Sequence, residues 1–161
     1  MIDSAQKSVR VQLLTYRSKG RGGEFTDLED ALKRAAARGV RVELMLSDWS
    51  KRKGSIEGLQ RLHAPPNLTI KLLTIPQWSE GYVPFARVAH AKYMVVDNAR
   101  AWIGTSNWER DYFYQSRNVG LIIDGGPLPE RLGAFFSDNW NGPLVEVVDP
   151  DKRYEAPKIG E

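Results

Sequence analysis

At 161 residues, 42% of them hydrophobic, the chain is about one domain's worth and long enough to bury a core. Its 23 basic and 20 acidic side chains leave a net charge of +3, too mild to argue by field alone for nucleic acid or an anionic membrane. Cysteine is absent, which excludes disulfides and thiolate chemistry; nothing reads as a zinc site, and no run approaches the roughly 20 apolar residues of a membrane span.

Val9, Val11 and Leu13 alternate with Arg10 and Gln12, the period of a half-buried strand within residues 8–16. Only a short lead-in precedes it, without the apolar centre of a signal peptide, and so abrupt a start predicts one domain or one half of a larger assembly. After a loop at residues 18–23, Thr26-Asp-Leu-Glu29 has capping-box spacing and opens a helix with Leu28, Ala31, Leu32, Ala35 and Ala36 on one apolar face. Gly39 ends it just past the C-cap, and Val40, Val42, Leu44 and Leu46 give a second strand. Strand, helix and strand in this order make a βαβ unit, which implies parallel pairing.

The polar, basic stretch 47–54 then falls at the C-terminal end of a strand, where α/β folds place ligand loops. A short helix from Ser55 turns Ile56, Leu59 and Leu62 inward and stops at His63-Ala-Pro-Pro-Asn67, before a third strand with Leu68, Ile70 and Leu72. Residues 75–86 form a long loop carrying Trp78, Tyr82 and Phe85. Further on, Trp102-Ile103 and residues 119–123 are strand-like. Pro129 opens a helix whose buried face reads as Leu128, Leu132, Phe135 and Phe136, and Val145, Val147 and Val148 give an edge strand. Residues 1–148 therefore read as one domain and 149–161 as a charged, loose tail.

Chemistry concentrates in between. His90-Ala-Lys92 precedes the apolar run Tyr93-Met-Val-Val, Asp97 closes it, and Gly104-Thr105-Ser106-Asn107 follows. On a strand, His90 and Lys92 project from one face about 7 Å apart, a bench for a phosphate. Pairing across a turn centred on Asn98-Ala99 places Lys92 opposite Thr105 and His90 opposite Asn107, with all four on one face. A three-residue loop would slip the register by one, oppose Lys92 to Gly104 and turn the other face to the site; the side chains gathered favour the first register. Asp97, an odd number of positions from His90, points the other way and is read as a structural group at the turn.

The spacing His90-x-Lys92-x4-Asp97, followed by Gly104-Thr105-x-Asn107 with Thr where Ser is usual, resembles the signature of the phospholipase D superfamily. Arg87-Val-Ala-His90 and the run to Trp108 look most like the second half-domain of such proteins. The resemblance implies an α/β fold with a mixed sheet flanked by helices, and phosphodiester cleavage that needs no metal or cofactor. One histidine attacks phosphorus to give a phosphohistidine, and a second protonates the leaving oxygen, then activates water or an alcohol. It implies His90, Lys92 and Asn107 as catalytic, and Lys92, Thr105 and Asn107 as phosphate-binding. Asp97, Ser106, Asn118 and Gln115 are supporting, the last two standing nearest to where the family commonly has an acidic residue. One motif supplies one histidine, so the implied partner is a second half-domain in the same polypeptide or a homodimer copy.

The favoured substrate on this reading is a phospholipid, hydrolysed or transferred. The alternatives are a metal-independent nuclease acting on single-stranded DNA or RNA, and a noncatalytic half that binds phosphate or props up a partner. His63 reads as a helix-end residue. Lys51, Arg52 and Lys53 read as solvated, with steering of a phosphate-bearing substrate as the functional version. Trp78, Tyr82 and Phe85 are loop packing or a rim over the site, and Trp108, Tyr112, Phe113 and Tyr114 are core aromatics.

Overall fold

The computed structural model describes residues 1–20, 22–63 and 65–160; Arg21 in the 18–23 loop, Ala64 in the stop after the second helix, and Glu161 lie outside the described residues. β1 (Ser8–Leu13) is central rather than half-buried. Val9, Val11 and Leu13 are fully buried, Arg10 pairs with Glu43 at 3.1 Å, and Gln12 Oε1 accepts from the Tyr93 hydroxyl at 2.7 Å. Past Leu13 the chain leaves the sheet for β2 (Tyr16–Arg17) and a small hairpin of β3 (Lys19–Gly20) and β4 (Gly23–Glu24).

α1 (Asp27–Ala37) buries Ala31, Leu32, Ala35 and Ala36, and Gly39 takes the left-handed φ of +86° that ends it. Its capping box does not form. Thr26 makes no side-chain cap bond, while Glu29 accepts from the Tyr16 hydroxyl and pairs with Lys33 at 2.6 Å. A buried phenol needs an acceptor, and Glu29 supplies it.

β5 (Arg41–Ser47) returns parallel to β1, and a 3-10 turn at Asp48–Lys51 leads to α2 (Ile56–Leu62) and the parallel β6 (Leu68–Leu73). β7 (Tyr93–Val96) and β8 (Arg100–Gly104) continue the sheet antiparallel on the other side of β1. β9 (Trp108–Glu109) pairs with β2, and α3 (Arg110–Tyr114), β10 (Gly120–Asp124), α4 (Pro127–Trp140) and β11 (Val145–Val147) complete the chain. The seven-stranded mixed sheet has the order β10-β8-β7-β1-β5-β6-β11. α1 and α2 cover one face, and α4 covers the other over Met45, Tyr93 and Val95.

The buried stripe of α4 is Pro129, Gly133, Phe136 and Trp140, so the expected face is rotated: Leu128 and Phe135 are 40% and 53% exposed. Gly133 sets this phase, because a Cβ there would run into Asn98 and Arg10 at the β7–β8 turn. Among its described residues the tail carries no helix or strand, but it is fastened rather than loose. Ile159 is buried and accepts from the Phe85 N–H at 2.7 Å, and Tyr82 donates to the Gly160 carbonyl at 2.8 Å.

Candidate active site

Tyr93 stands opposite Ile103, Met94 opposite Trp102 and Val96 opposite Arg100. One step further, Gly104 faces Lys92 and donates its N–H to the Lys92 carbonyl at 3.2 Å. The expected register, Lys92 opposite Thr105 and His90 opposite Asn107, is therefore off by one. Its cause is at the other end of the hairpin. Asp97, Asn98 and Ala99 make a three-residue loop with φ of +54° at Asp97 and +55° at Asn98, a region Asp and Asn enter more readily than most residues. The Asp97 carboxylate accepts the backbone N–H groups of Gln6 at 2.9 Å and of Lys7 and Ser8 at 2.8 Å. Asn98 Oδ1 accepts from Arg10 at 2.9 Å. Burial pushes the Asp97 pKa up, but the three amides outweigh it and hold the group below the usual carboxylate range.

β7 runs antiparallel to β1, so His90 and Lys92 sit at the C-terminal ends of the parallel strands. His90 is exposed and Lys92 is buried. The Lys92 ammonium donates to the His90 carbonyl at 2.8 Å and lies 3.3 Å and 3.4 Å from the two ring nitrogens. Burial and then the Lys92 charge push the His90 pKa below the ordinary imidazole value, and burial lowers that of Lys92. Both causes favour the neutral form of the ring. The pair opens into a cleft of about 360 Å³ shared with Tyr93, Ile103, Gly104, Thr105 and Leu132. A Cβ on Gly104 or Gly120 would strike the Trp102 indole, which lies across both.

The other expected site residues surround this cleft unevenly. Thr105 lines it, but its hydroxyl donates to Asn118 Oδ1 at 2.9 Å and accepts the Val119 N–H at 3.2 Å. Asn107 is fully buried; its Oδ1 accepts the Thr15 N–H at 3.2 Å and its Nδ2 donates to the Tyr112 hydroxyl at 3.0 Å. Asn118 also donates to the Tyr112 carbonyl at 2.7 Å, Ser106 is buried, and Gln115 is exposed at the C-cap of α3.

Tyr112 thus holds both asparagines, and Glu109 accepts the hydroxyl of Thr15. The motif itself gives neither a place in the site; nearness to Asn107 is their one signal in the sequence. Trp108 is core as expected, whereas Phe113 and Tyr114 are 44% and 63% exposed and pack on Phe25 with centroids 4.9 Å and 6.0 Å apart. His63 caps α2 just ahead of β6, at the far end of the parallel strands, and does not complete the site. Among the described residues no cluster of three or more His, Asp or Glu is placed to hold a metal.

The family model described as cardiolipin synthase, PLD-like domain, matches residues 1–140. A probable phospholipase D of Caenorhabditis elegans, F09G2.8, is 31% identical over 159 residues, covering 88% of this chain and 28% of the relative. The human 5'-3' exonuclease PLD3 is 33% identical over 168 residues, covering 92% and 34%. The chain spans about a third of the length of these relatives. In fold it is similar to NucT from Helicobacter pylori, with a TM-score of 0.70 and 22% identity over 86% of this chain and 82% of that one. Nuc from Salmonella typhimurium, described as a phospholipase D family member, gives 0.70 and 22% over 91% and 84%. With the family model matched over most of its length and the helix-flanked mixed sheet of Nuc reproduced, the chain belongs to the phospholipase D superfamily.

Proposed function

We propose that this chain supplies one histidine of a two-histidine phosphodiesterase site, and that the bond cleaved lies in a single-stranded nucleic acid. The observation that carries the chemistry is the His90–Lys92 pair, a ring kept neutral at the mouth of an open cleft beside a buried ammonium. The neutral ring attacks phosphorus, and the P–O bond to the leaving group breaks as a second histidine protonates the departing oxygen. That histidine then takes a proton from water, whose oxygen displaces His90 from phosphorus. Lys92 balances the charge on the non-bridging oxygens. Asn107 retains one Nδ2 hydrogen beyond the one given to Tyr112 and assists, Thr105, whose hydroxyl proton and N–H go to Asn118 and Val119, shapes the cleft wall, and Asp97, Ser106, Asn118 and Gln115 support the frame.

Nucleic acid is favoured over lipid by the group formed by Phe25, Phe113 and Tyr114, with the Arg110 guanidinium 4.8 Å from the Tyr114 ring. Two hydrogen bonds, Thr105 to Asn118 and Asn118 to the Tyr112 carbonyl, tie the cleft to the segment that carries Phe113 and Tyr114, whose exposed rings offer faces on which bases stack. The relative named 5'-3' exonuclease supports this reading, and the one named phospholipase D supports the lipid reading.

Phospholipid gains from the apolar strip of Val119, Leu121 and Phe135, each more than half exposed beside the cleft. We assign that strip to contact with a second half-domain instead. β10 is a sheet edge, and its Leu121, opposite Ile103, faces the α4 side. An uncovered apolar edge calls for a second half-domain, in the same polypeptide or in a homodimer, that brings the second histidine.

The test compares the chain and the longest native polypeptide on labelled single-stranded DNA and on fluorescent phosphatidylcholine, with His90 intact and with His90→Ala. DNA cleavage that resists chelators and disappears with His90 is expected, together with phosphate trapped on the His90 ring. Cleavage that survives the substitution removes His90 from the mechanism, and turnover of lipid alone reverses the substrate.

A further inference from the structure

A second cleft, of about 500 Å³, lies between α2 and the tail, away from His90. Lys51, Lys53, Gln60, Lys152, Arg153 and Tyr154 are among the residues that line it. Specific contacts build its walls. Gln60 Nε2 donates to the carbonyls of Asp149 and Lys152, both at 2.9 Å, the Tyr154 hydroxyl accepts the Asp149 N–H at 2.8 Å, and the Tyr154 ring packs on the main core.

Four cations line the cleft with one carboxylate, Glu57, while Glu146, Asp48 and Asp149 act on Lys51 and Lys152 from beside it. Glu146 is gripped by Lys51 at 2.7 Å and Lys152 at 2.8 Å, and Glu57 accepts the Gly54 N–H at 2.5 Å. Lys53 and Arg153 have no ion-pair partner among the described residues, so these two lining cations are left for a ligand.

The sheet relates this cleft to the first. Leu13 stands beside Leu46, Leu46 beside Leu72 and Leu72 beside Glu146; one step past the Gln12–Tyr93 pair, Lys92 ends the same row. Four strand spacings separate Lys92 from Glu146, roughly 19 Å. A stacked strand rising ~3.4 Å per nucleotide crosses that gap with about six nucleotides.

We infer that this cleft is a second phosphate site, which holds a phosphodiester of the same single strand whose scissile bond lies at His90. The inference rests on the nuclease reading above. The strand runs across the C-terminal ends of β1, β5 and β6, with Lys53 and Arg153 contacting its backbone and His90 and Lys92 at the reacting phosphate.

Fluorescence anisotropy on the intact chain tests it without requiring turnover. The probes are labelled oligothymidylates of about 12 nucleotides, which span both clefts, and about 3, which do not. Lys53→Ser with Arg153→Ser, both exposed positions, should weaken the longer probe about tenfold and reduce its salt slope by about 1.4, as expected for two lost phosphate contacts, while leaving the shorter probe and the thermal midpoint unchanged. Equal losses on both probes would mark a pocket for isolated phosphate and overturn the inference. Unchanged binding of the longer probe to the double variant also overturns it, with the nuclease reading intact; failure of the wild-type chain to bind either probe removes both.

Discussion

At one end of β7 the Asp97 carboxylate has three backbone donors within 2.9 Å, from Gln6, Lys7 and Ser8, whereas at the other end the His90 ring meets only the Lys92 ammonium among the described residues. Both residues belong to one eight-residue motif. The saturated end is unavailable to a ligand and fixes geometry: it sets the three-residue loop, the loop sets the register, and the register brings Gly104 to Lys92. The unsaturated end retains capacity for a substrate. A motif read as one catalytic string is therefore two devices, joined by four residues of strand.

Replacing each end in turn should give opposite signatures. His90→Ala should reduce turnover of the assembled enzyme by a factor on the order of 10⁴. As an exposed side chain it should leave unfolding free energy within about 0.5 kcal/mol. Asp97→Ala should cost about 3 kcal/mol in urea unfolding, since three charge-assisted bonds are lost, while the molecules still folded remain active. The Asp97 pKa is lowered by folding, so its stabilisation is complete above the unfolded value near 3.9 and is lost as pH falls through the lower folded value. The variant should accordingly show a shallower acid limb in its stability profile. A variant at Asp97 that loses turnover at unchanged stability would erase the contrast.

Gly104 joins the two devices. Its missing Cβ lets Trp102 lie across β8 and β10 just where the strand reaches Lys92. Gly104→Ala should overpack this contact and destabilise by about 2 kcal/mol, read by thermal melting. Loss of less than about 0.5 kcal/mol would show that the indole simply moves aside.

How much of this was legible in the sequence follows from where each determinant sits. The βαβ unit was legible because Val9 to Leu13, Leu28 to Ala36 and Val42 to Leu46 repeat with the period of their own element. The hairpin register was not, because Asp97 takes its donors from residues about ninety positions away. Glu29 looked like half of a capping box until the Tyr16 phenol claimed it. The phase of α4 depended on Gly133 lying against Asn98, and the five-residue α3 was too short for periodicity to separate buried Trp108 from exposed Phe113 and Tyr114. The site's residue types were readable, but the tertiary bonds that commit Asn107 and Thr105 to Tyr112 and Asn118 left no mark in the motif.

The smallest effect tests the electrostatics of the open end. Folding lowers the pKa of both Asp97 and His90, but for an acid this favours the charged form and for a base the neutral one. At Asp97 amide dipoles stabilise a charge, whereas at His90 burial first and the Lys92 ammonium second oppose one. Lys92→Met keeps an unbranched apolar stem and removes only the second cause, so the His90 midpoint should rise part of the way toward the ordinary 6.5, followed by NMR of the ring protons. Proton uptake at higher pH would also move the acid limb of activity upward, since the imidazolium has no lone pair with which to attack. A midpoint that stays put or falls would mean that the ammonium does not act on the ring, and that burial alone keeps the nucleophile neutral.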